Sequence, residues 1–258
     1  MEFIDIANKA GAFAVRASRW LTRKSRRELV ASIYLKGDGI EIGALHLPLP
    51  VPRTAHVRYV DRMSATDLKK QYPDLAGRKL VDPDIIDDGE RLSTIKNGSL
   101  DFVIANHFIE HCEDPIFALA NMLRVLKPSG MLYLAVPDKR FTDDRDRAVT
   151  PIAHLMHDFE HGPKGSRTGH YKEWVTLVNK KEKPADIKAE MNELMAMRYS
   201  IHFHAWTFDA FLELLVSLKD TLPAFGIVLA WMNDEDGIFI LQRADDGGMR
   251  RSAKKCWQ

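Results

Sequence analysis

The chain has 258 residues, of which 45% are hydrophobic and 28% charged, and its net charge is only +1. This length can bury a substantial core, and this composition excludes a disordered or disulfide-rich chain. The charge balance gives no overall attraction to nucleic acid, and no apolar run reaches the roughly 18 residues that span a bilayer. With two cysteines and no signal-peptide pattern, we expect a cytoplasmic protein.

Residues 1–38 are predicted to form a helical arm with a basic face. Apolar residues such as Trp20 and Leu29 recur at helical spacing, with arginines such as Arg23 and Arg27 between them. Such a pattern is typical of a helix that packs at a domain edge and exposes its charged face. The same face would also suit weak contact with an anionic membrane surface, and less readily nucleic acid, for which we expect no specific site.

From Gly39 to Val136, short apolar segments alternate with helical ones. The predicted strands are Gly39–Gly43, His56–Val60, Lys79–Val81, Leu100–Ala105 and Met131–Val136, and the predicted helices are Ser64–Tyr72 and Pro115–Leu126. Strands that alternate with helices indicate the α/β class, with a doubly wound, mostly parallel sheet and helices on both faces.

The alternation is interrupted by a helical, histidine-rich insertion at about 138–204, which the pattern suggests is a lid or substrate-binding cap. Within it, helical spacing is clear at Ile152–Phe159 and Ile187–Tyr199. A helix at Thr207–Leu218 and two strands, Gly226–Met232 and Gly237–Gln242, follow; the short polar connection between the strands predicts an antiparallel hairpin. The main domain is therefore predicted to cover 39–242, and 243–258 to form a polar tail.

Two neighbouring segments carry the most specific pattern in the chain. Ser-Leu-Asp-Phe-Val-Ile-Ala-Asn-His-Phe-Ile-Glu-His-Cys-Glu-Asp-Pro covers residues 99–115, and Leu-Lys-Pro-Ser-Gly-Met-Leu-Tyr-Leu-Ala-Val-Pro covers 126–137. These segments resemble the fourth and fifth strands of class I S-adenosylmethionine-dependent methyltransferases, in their small-molecule branch. The turn Glu-Ile-Gly-Ala-Leu-His at 41–46 resembles a variant of that family's first, glycine-rich motif. The resemblance implies a Rossmann-like sheet of seven strands that ends in an antiparallel hairpin, with S-adenosyl-L-methionine as cofactor.

The cofactor is expected at the carboxyl ends of the strands, where open α/β sheets bind ligands. Asp61, at the end of the second strand, is placed to accept both ribose hydroxyls, although a solvated strand-end acid is the alternative. The resemblance implies that Asp88 accepts from the adenine amine and that Gly89 supplies backbone; here the alternative is an acidic surface turn. The full predicted cofactor-binding set is Glu41, Gly43, Ala44, Asp61, Arg62, Asp88, Gly89, Asn106 and His107.

A histidine is the expected general base, because the pKa of imidazole lies near neutral pH. His107 at the fourth strand end is one candidate. His154, His157, Asp158 and His161 recur at helical spacing and are expected to share one face, which makes His157 and His161 the other candidates. That face could instead be solvated or could hold a divalent metal. Without cysteine pairs or an H-E-x-x-H motif, no metal site is predicted.

These patterns predict an S-adenosylmethionine-dependent methyltransferase that methylates a hydroxyl group of a small-molecule or glycan acceptor. A non-catalytic scaffold protein with this fold is the alternative from another class, because the first motif has lost glycines. A metal-dependent enzyme centred on the insertion is a further alternative. A nicotinamide dehydrogenase is disfavoured, because the G-x-G-x-x-G fingerprint is absent. The sequence leaves the acceptor and the oligomeric state open.

Overall fold

The computed structural model describes residues 26–245, and seven strands form its centre. These are β1 (Gly37–Ile42), β2 (Ala55–Asp61), β3 (Ile85–Ile86), β4 (Leu100–Asn106), β5 (Leu126–Pro137), β6 (Phe225–Asn233) and β7 (Asp236–Arg243). They form one sheet in the order β3-β2-β1-β4-β5-β7-β6. The first five are parallel, whereas β7 runs antiparallel to both β5 and β6. The predicted Rossmann-like, mostly parallel sheet with its C-terminal hairpin is therefore confirmed.

Seven helices surround the sheet in the described part of the chain. They are α1 (26–34), α2 (Ala65–Gln71), α3 (Pro115–Val125), α4 (Ile152–His161), α5 (Arg167–Leu177), α6 (Pro184–Ala196) and α7 (Phe208–Ser217). Short 3-10 turns connect several of them, including Ile109–His111 just before α3. Helix α3 begins where the sequence predicts, because the Asp114 carboxylate accepts the Phe117 N–H and Pro115 occupies the first helical turn.

Both faces of the sheet are covered, which explains why its central strands are apolar throughout. On one face, Leu119 of α3, Leu155 of α4 and Phe211 of α7 are fully buried in the main core. On the other face, Ala31 of α1 packs in a second core with Tyr133 of β5. Burying one large apolar side chain contributes about 1.5–3 kcal/mol, so these two layers hold the strand ends in place.

One prediction about an element is wrong, and one helix is not predicted. Lys79–Val81 is not a strand; the third strand is the two-residue Ile85–Ile86, which pairs with Val60 and Asp61. The apolar signal at 79–81 has another cause, because Leu80 is buried in a small cluster with Leu68 of α2. The insertion contains α5, a helix that the sequence pattern does not predict because its apolar residues form no clear stripe.

The ends of the chain carry predictions that the structure does not reach. Most of the basic arm, including Trp20 and Arg23, lies outside the described residues, as do residues 246–258 of the predicted tail. Within the arm, residues 26–34 are helical as predicted. Among residues 26–245, no helix is long and apolar enough to cross a membrane.

Candidate active site

Polar side chains from four neighbouring elements gather at one edge of the sheet. Because β1, β2, β3 and β4 are parallel, their carboxyl ends all meet there. Glu41 lies at the end of β1, Asp61 at the end of β2, Asp88 just after β3, and Asn106 at the end of β4. The structure therefore places these four predicted residues at the same edge.

The first turn is built around a buried carboxyl group. Glu41 is 1% exposed, and both of its carboxylate oxygens lie 3.0 Å from the Leu49 N–H donor, while Asn106 Nδ2 donates to Oε1 at 3.3 Å. Burial raises the pKa of Glu41 to about 7, although these donors oppose the shift. Gly43 has φ +65°, a left-handed conformation that favours glycine, and the following Ala44 carbonyl accepts the Leu47 N–H at 2.9 Å.

The second strand end presents Asp61 but turns Arg62 away. Asp61 Oδ1 accepts the Arg62 backbone N–H at 2.7 Å, and burial raises the pKa of this carboxyl group. The Arg62 guanidinium donates to Tyr72 Oη at 2.7 Å and to the Arg198 carbonyl at 3.3 Å. Arg62 thus joins α2 to the end of the insertion, and its predicted contact with the cofactor stays a prediction.

The turn after β3 contains two neighbouring acidic residues, of which Asp87 is buried and Asp88 is exposed. Asp87 is buried, and it accepts the Asp88 and Thr94 N–H groups together with the Ser93 and Thr94 hydroxyls at 2.7–2.9 Å. Asp88 is exposed, and its Oδ1 accepts the Glu90 N–H at 2.9 Å. The fold therefore uses Asp87 to shape the turn and leaves the Asp88 carboxylate accessible.

Gly89 allows the turn to approach β1 closely, and Asn106 leaves an unused hydrogen-bond acceptor at this edge. A Cβ atom on Gly89 would lie 2.6 Å from Ile42 Cγ2 and 2.6 Å from Phe108 Cζ, so the turn packs tightly against β1. Asn106 Oδ1 is buried and accepts no hydrogen bond within residues 26–245. A buried amide oxygen without a donor is uncommon, and here it lies at the ligand-binding edge of the sheet.

His107 lies at the centre of a charged cluster beside these residues. It follows β4 with φ 47°, fixed by its N–H bond to the Ala135 carbonyl at 2.8 Å, and its side chain is 43% exposed. Nε2 lies 3.2 Å from Asp236 Oδ1 and 2.8 Å from Arg27 Nη2, while Nδ1 lies 3.6 Å from Glu110 Oε1. Left-handed conformations of residues other than glycine are rare and are often found at functional sites.

The charges around His107 favour its protonated form. Burial lowers the pKa of His107, but the hydrogen bond with Asp236 and the charge of Glu110 outweigh it, so the pKa is raised above its ordinary value. Arg27 acts in the opposite direction and lowers this pKa. Neither Arg27 nor Asp236 is among the predicted site residues, because they lie on α1 and at the start of β7, far from His107 along the chain.

The four residues of the predicted histidine face of α4 differ in how far they are exposed. His157 and His161 are exposed and stack on each other with ring centroids 4.5 Å apart, whereas Asp158 is buried and His154 is half-buried. Within residues 26–245, no hydrogen bond or ring contact joins His157 or His161 to the strand-end residues. A catalytic role for these two histidines stays a prediction.

Among residues 26–245, two groups of side chains have the geometry to hold a metal ion, with one donor atom per residue within 4.8 Å of the others. Glu110, His111 and His202 form the first, which adjoins the strand-end site because Glu110 contacts His107. The second, hereafter the trihistidine cluster, consists of His154 of α4, His170 of α5 and His204. Burial lowers the pKa of His170 to about 4 and holds the pKa of His204 well below its ordinary value.

The strand order and the row of polar residues at the ends of β1 to β4 define the class of fold: this is the sheet of the class I methyltransferases. Residues 50–134 match the family model described as a methyltransferase domain. In these residues the chain is therefore similar to S-adenosylmethionine-dependent methyltransferase domains, and S-adenosylmethionine is the cofactor that the matched family implies. No curated protein gives a significant sequence match.

Many solved structures are similar in fold. The CurJ carbon methyltransferase is 13% identical with a TM-score of 0.43; the match covers 82% of this chain and 49% of that one, so this chain spans about half its length. A Rhodobacter sphaeroides structure named for putative zinc-dependent alcohol dehydrogenases is 16% identical with a TM-score of 0.48, and the match covers 83% of this chain and 86% of that one. A Thermotoga maritima methyltransferase, named as a possible histamine N-methyltransferase, is 14% identical with a TM-score of 0.44, and the match covers 90% of this chain and 97% of that one. At these levels of similarity, the acceptor has to be inferred from this chain's own residues.

Proposed function

We propose that this methyltransferase acts on a hydroxyl group of a small-molecule or glycosyl acceptor, with His107 as the general base. The observation that supports this most strongly is the position of His107. Its imidazole is partly exposed at the end of β4, and Asp236 and Glu110 face it. A hydroxyl group is a weak nucleophile near neutral pH, so its methylation benefits from a base with a pKa in that range.

The strand-end residues fit the expected cofactor. We assign Asp61 to the ribose hydroxyls and Asp88, with the Gly89 backbone, to the adenine. The unpartnered Asn106 Oδ1 suits a donor such as the cofactor's amino group, and it adjoins the buried Glu41. Gly43 and Ala44 would let the backbone of the first turn approach closely, since a Cβ on Gly43 would meet only Phe108, at 3.6 Å.

His107 Nε2 is suited to gain and lose a proton. When the imidazole is neutral with its lone pair on Nε2, Arg27 can donate to that atom; when Nε2 is protonated, it can donate to Asp236. We propose that the acceptor hydroxyl takes the place of Arg27 and passes its proton to Nε2, and that Asp236 and Glu110 stabilise the imidazolium. When bound, S-adenosylmethionine would supply the methyl group from its sulfonium, so that the S–CH₃ bond breaks as the O–CH₃ bond forms and a neutral thioether remains.

The cofactor assignment is tested by calorimetric titration with S-adenosylhomocysteine. We expect Asp61→Ala to weaken binding by at least about tenfold, because a hydrogen bond with a charged group contributes about 1.5–3 kcal/mol. The fold should survive, because Asp61 lies at an open strand end. Unchanged affinity in a folded variant would remove Asp61 from the site, and absent binding by the wild type would favour a scaffold that has lost its cofactor.

The catalytic assignment is tested by the pH dependence of kcat/KM on an acceptor found by screening hydroxylated small molecules and glycosides. The rate should rise with pH through the raised pKa of His107, and His107→Asn should lower it by about 10²–10⁴-fold and abolish this acidic limb. His56→Asn is the matched control, because His56 is exposed at the opposite end of β2. A His107→Asn enzyme that keeps both its rate and its acidic limb would refute the role of His107.

A further inference from the structure

We propose that the trihistidine cluster is a binding site for a divalent transition-metal ion, best matched by zinc, with Asp158 as the fourth ligand. The cluster lies in the insertion, apart from the strand-end residues. Its members come from α4, from α5 and from the extended segment after α6. A metal ion bound there would join these three parts of the insertion at one point.

The distances within the cluster are close to those of a tetrahedral zinc site. Zinc binds imidazole nitrogen and carboxylate oxygen at about 2.0–2.2 Å, so two ligands of one tetrahedral ion lie about 3.3 Å apart. His154 Nε2 lies 3.1 Å from His170 Nε2 and 3.4 Å from Asp158 Oδ2. The ring centroid of His204 lies 4.8 Å from that of His170 and 5.8 Å from that of His154. One donor atom each of His154, His170 and His204 lies within 4.8 Å of the others, so binding of an ion would draw His204 and Asp158 inward.

The second, independent observation is an unpartnered nitrogen on His204. This residue is completely buried, and its Nε2 lies 3.4 Å from the Glu113 carbonyl oxygen. If Nε2 donates to that carbonyl, Nδ1 carries a lone pair, and Nδ1 has no hydrogen-bond partner within residues 26–245. Metal-bound histidines commonly donate their other ring N–H to a backbone carbonyl in this way.

The electrostatics of the site also call for a cation. Asp158 is 2% exposed, and among residues 26–245 its charge faces the His154 imidazole at 3.4 Å and the Ser166 hydroxyl, with no lysine or arginine paired to it. A buried carboxylate normally has a cationic or metal partner. Three imidazoles and one carboxylate would form a closed set of four ligands, which is typical of a structural rather than a catalytic zinc site.

Metal content distinguishes this site from a simple cluster of hydrogen-bonded histidines. The untagged full-length protein is stripped with a chelator and dialysed against Zn²⁺, and bound zinc is counted by elemental analysis. We expect one zinc per chain in the wild type and in His157→Ala, an exposed histidine on the same helix that serves as the matched control. His154→Ala should lower zinc affinity by about 100-fold or more, because it removes a ligand and not merely a supporting contact.

Two further measurements keep the test decisive. His154 is partly exposed, so His154→Ala should fold, and circular dichroism establishes this before metal is counted. Co²⁺ in place of Zn²⁺ should give the visible absorption of a tetrahedral site in the wild type and in His157→Ala, but not in His154→Ala. Absence of stoichiometric zinc in the folded wild type, or equal zinc in all three proteins, would overturn the proposal.

Discussion

Replacement of Gly89 by alanine tests the packing that places the turn after β3 against β1. The new Cβ would lie 2.6 Å from Ile42 Cγ2, 2.6 Å from Phe108 Cζ and 2.9 Å from Phe108 Cε2. Carbon atoms in contact are ordinarily about 3.5–4.0 Å apart, so the methyl group overlaps two side chains by about 1 Å. Ile42 is 2% exposed on a strand with neighbours on both sides, so it cannot yield.

Overpacking of this kind costs about 1–3 kcal/mol of the free energy of unfolding. For a domain of this size, each 1 kcal/mol shifts Tm by about 2–4 °C, so Tm should fall by about 2–12 °C. Gly89→Ala should also weaken S-adenosylhomocysteine binding if this turn contacts the adenine. Urea denaturation measures the stability and calorimetry the affinity.

Gly169→Ala is the matched control for this measurement. Gly169 lies in α5, and no atom beyond that helix's own backbone would lie within 4 Å of an added methyl group. Alanine is favoured over glycine in helices by about 1 kcal/mol, so this variant should be slightly more stable than the wild type. If Gly89→Ala proves as stable as Gly169→Ala, the turn is free to move and the steric reasoning is refuted.

Two further predictions concern charge. Glu41 has a pKa of about 7 against an ordinary 4.5, so the native state holds more protons than the unfolded state between these values, and its contribution to stability falls as pH rises. Relative to Glu41→Gln, the free energy of unfolding of the wild type should therefore fall by up to about 3 kcal/mol between pH 5 and pH 8, as measured by urea denaturation. If the free energies of the two proteins change in parallel with pH, the raised pKa of this buried acid is contradicted. Because Arg27 lowers the pKa of His107, Arg27→Met should move the acidic limb of kcat/KM to higher pH; a limb that stays in place would show that Arg27 does not act on His107.

The sheet could be predicted because its signals are local. Buried parallel strands are continuous apolar runs, and β4 and β5 carry such runs beside caps and turns that fix where α3 begins. The third strand could not be placed, because a strand of two residues has no period, while the apolar Leu80 nearby is buried for another reason. The position of this two-residue strand is set by its pairing with β2, so its own residues carry almost no pattern from which it could be predicted.

The candidate site was only partly predictable for a different reason. Asp61 and Asn106 are the last residues of their own strands, so chain order alone places them at the edge of the sheet. Arg27 and Asp236 reach His107 from elements distant in sequence, and only tertiary packing brings them together. On α4, helical spacing alone does not show which residues are buried, since the direction in which α4 packs on α3 decides that Asp158 is buried and His157 exposed.

The extended segment at 202–204 connects the trihistidine cluster to the strand-end site. His202 faces Asp144, with 2.5 Å between Nδ1 and Oδ2, whereas the ring centroid of His204 lies 4.8 Å from that of His170 in the trihistidine cluster. Between them, the backbone N–H of Phe203 donates to the Glu110 carbonyl at 2.8 Å. A metal ion on His204 would thus hold the segment that fixes Glu110, and Glu110 faces the imidazole of His107. The insertion would in this way contribute to the active site by fixing the backbone beside the base rather than by supplying the base.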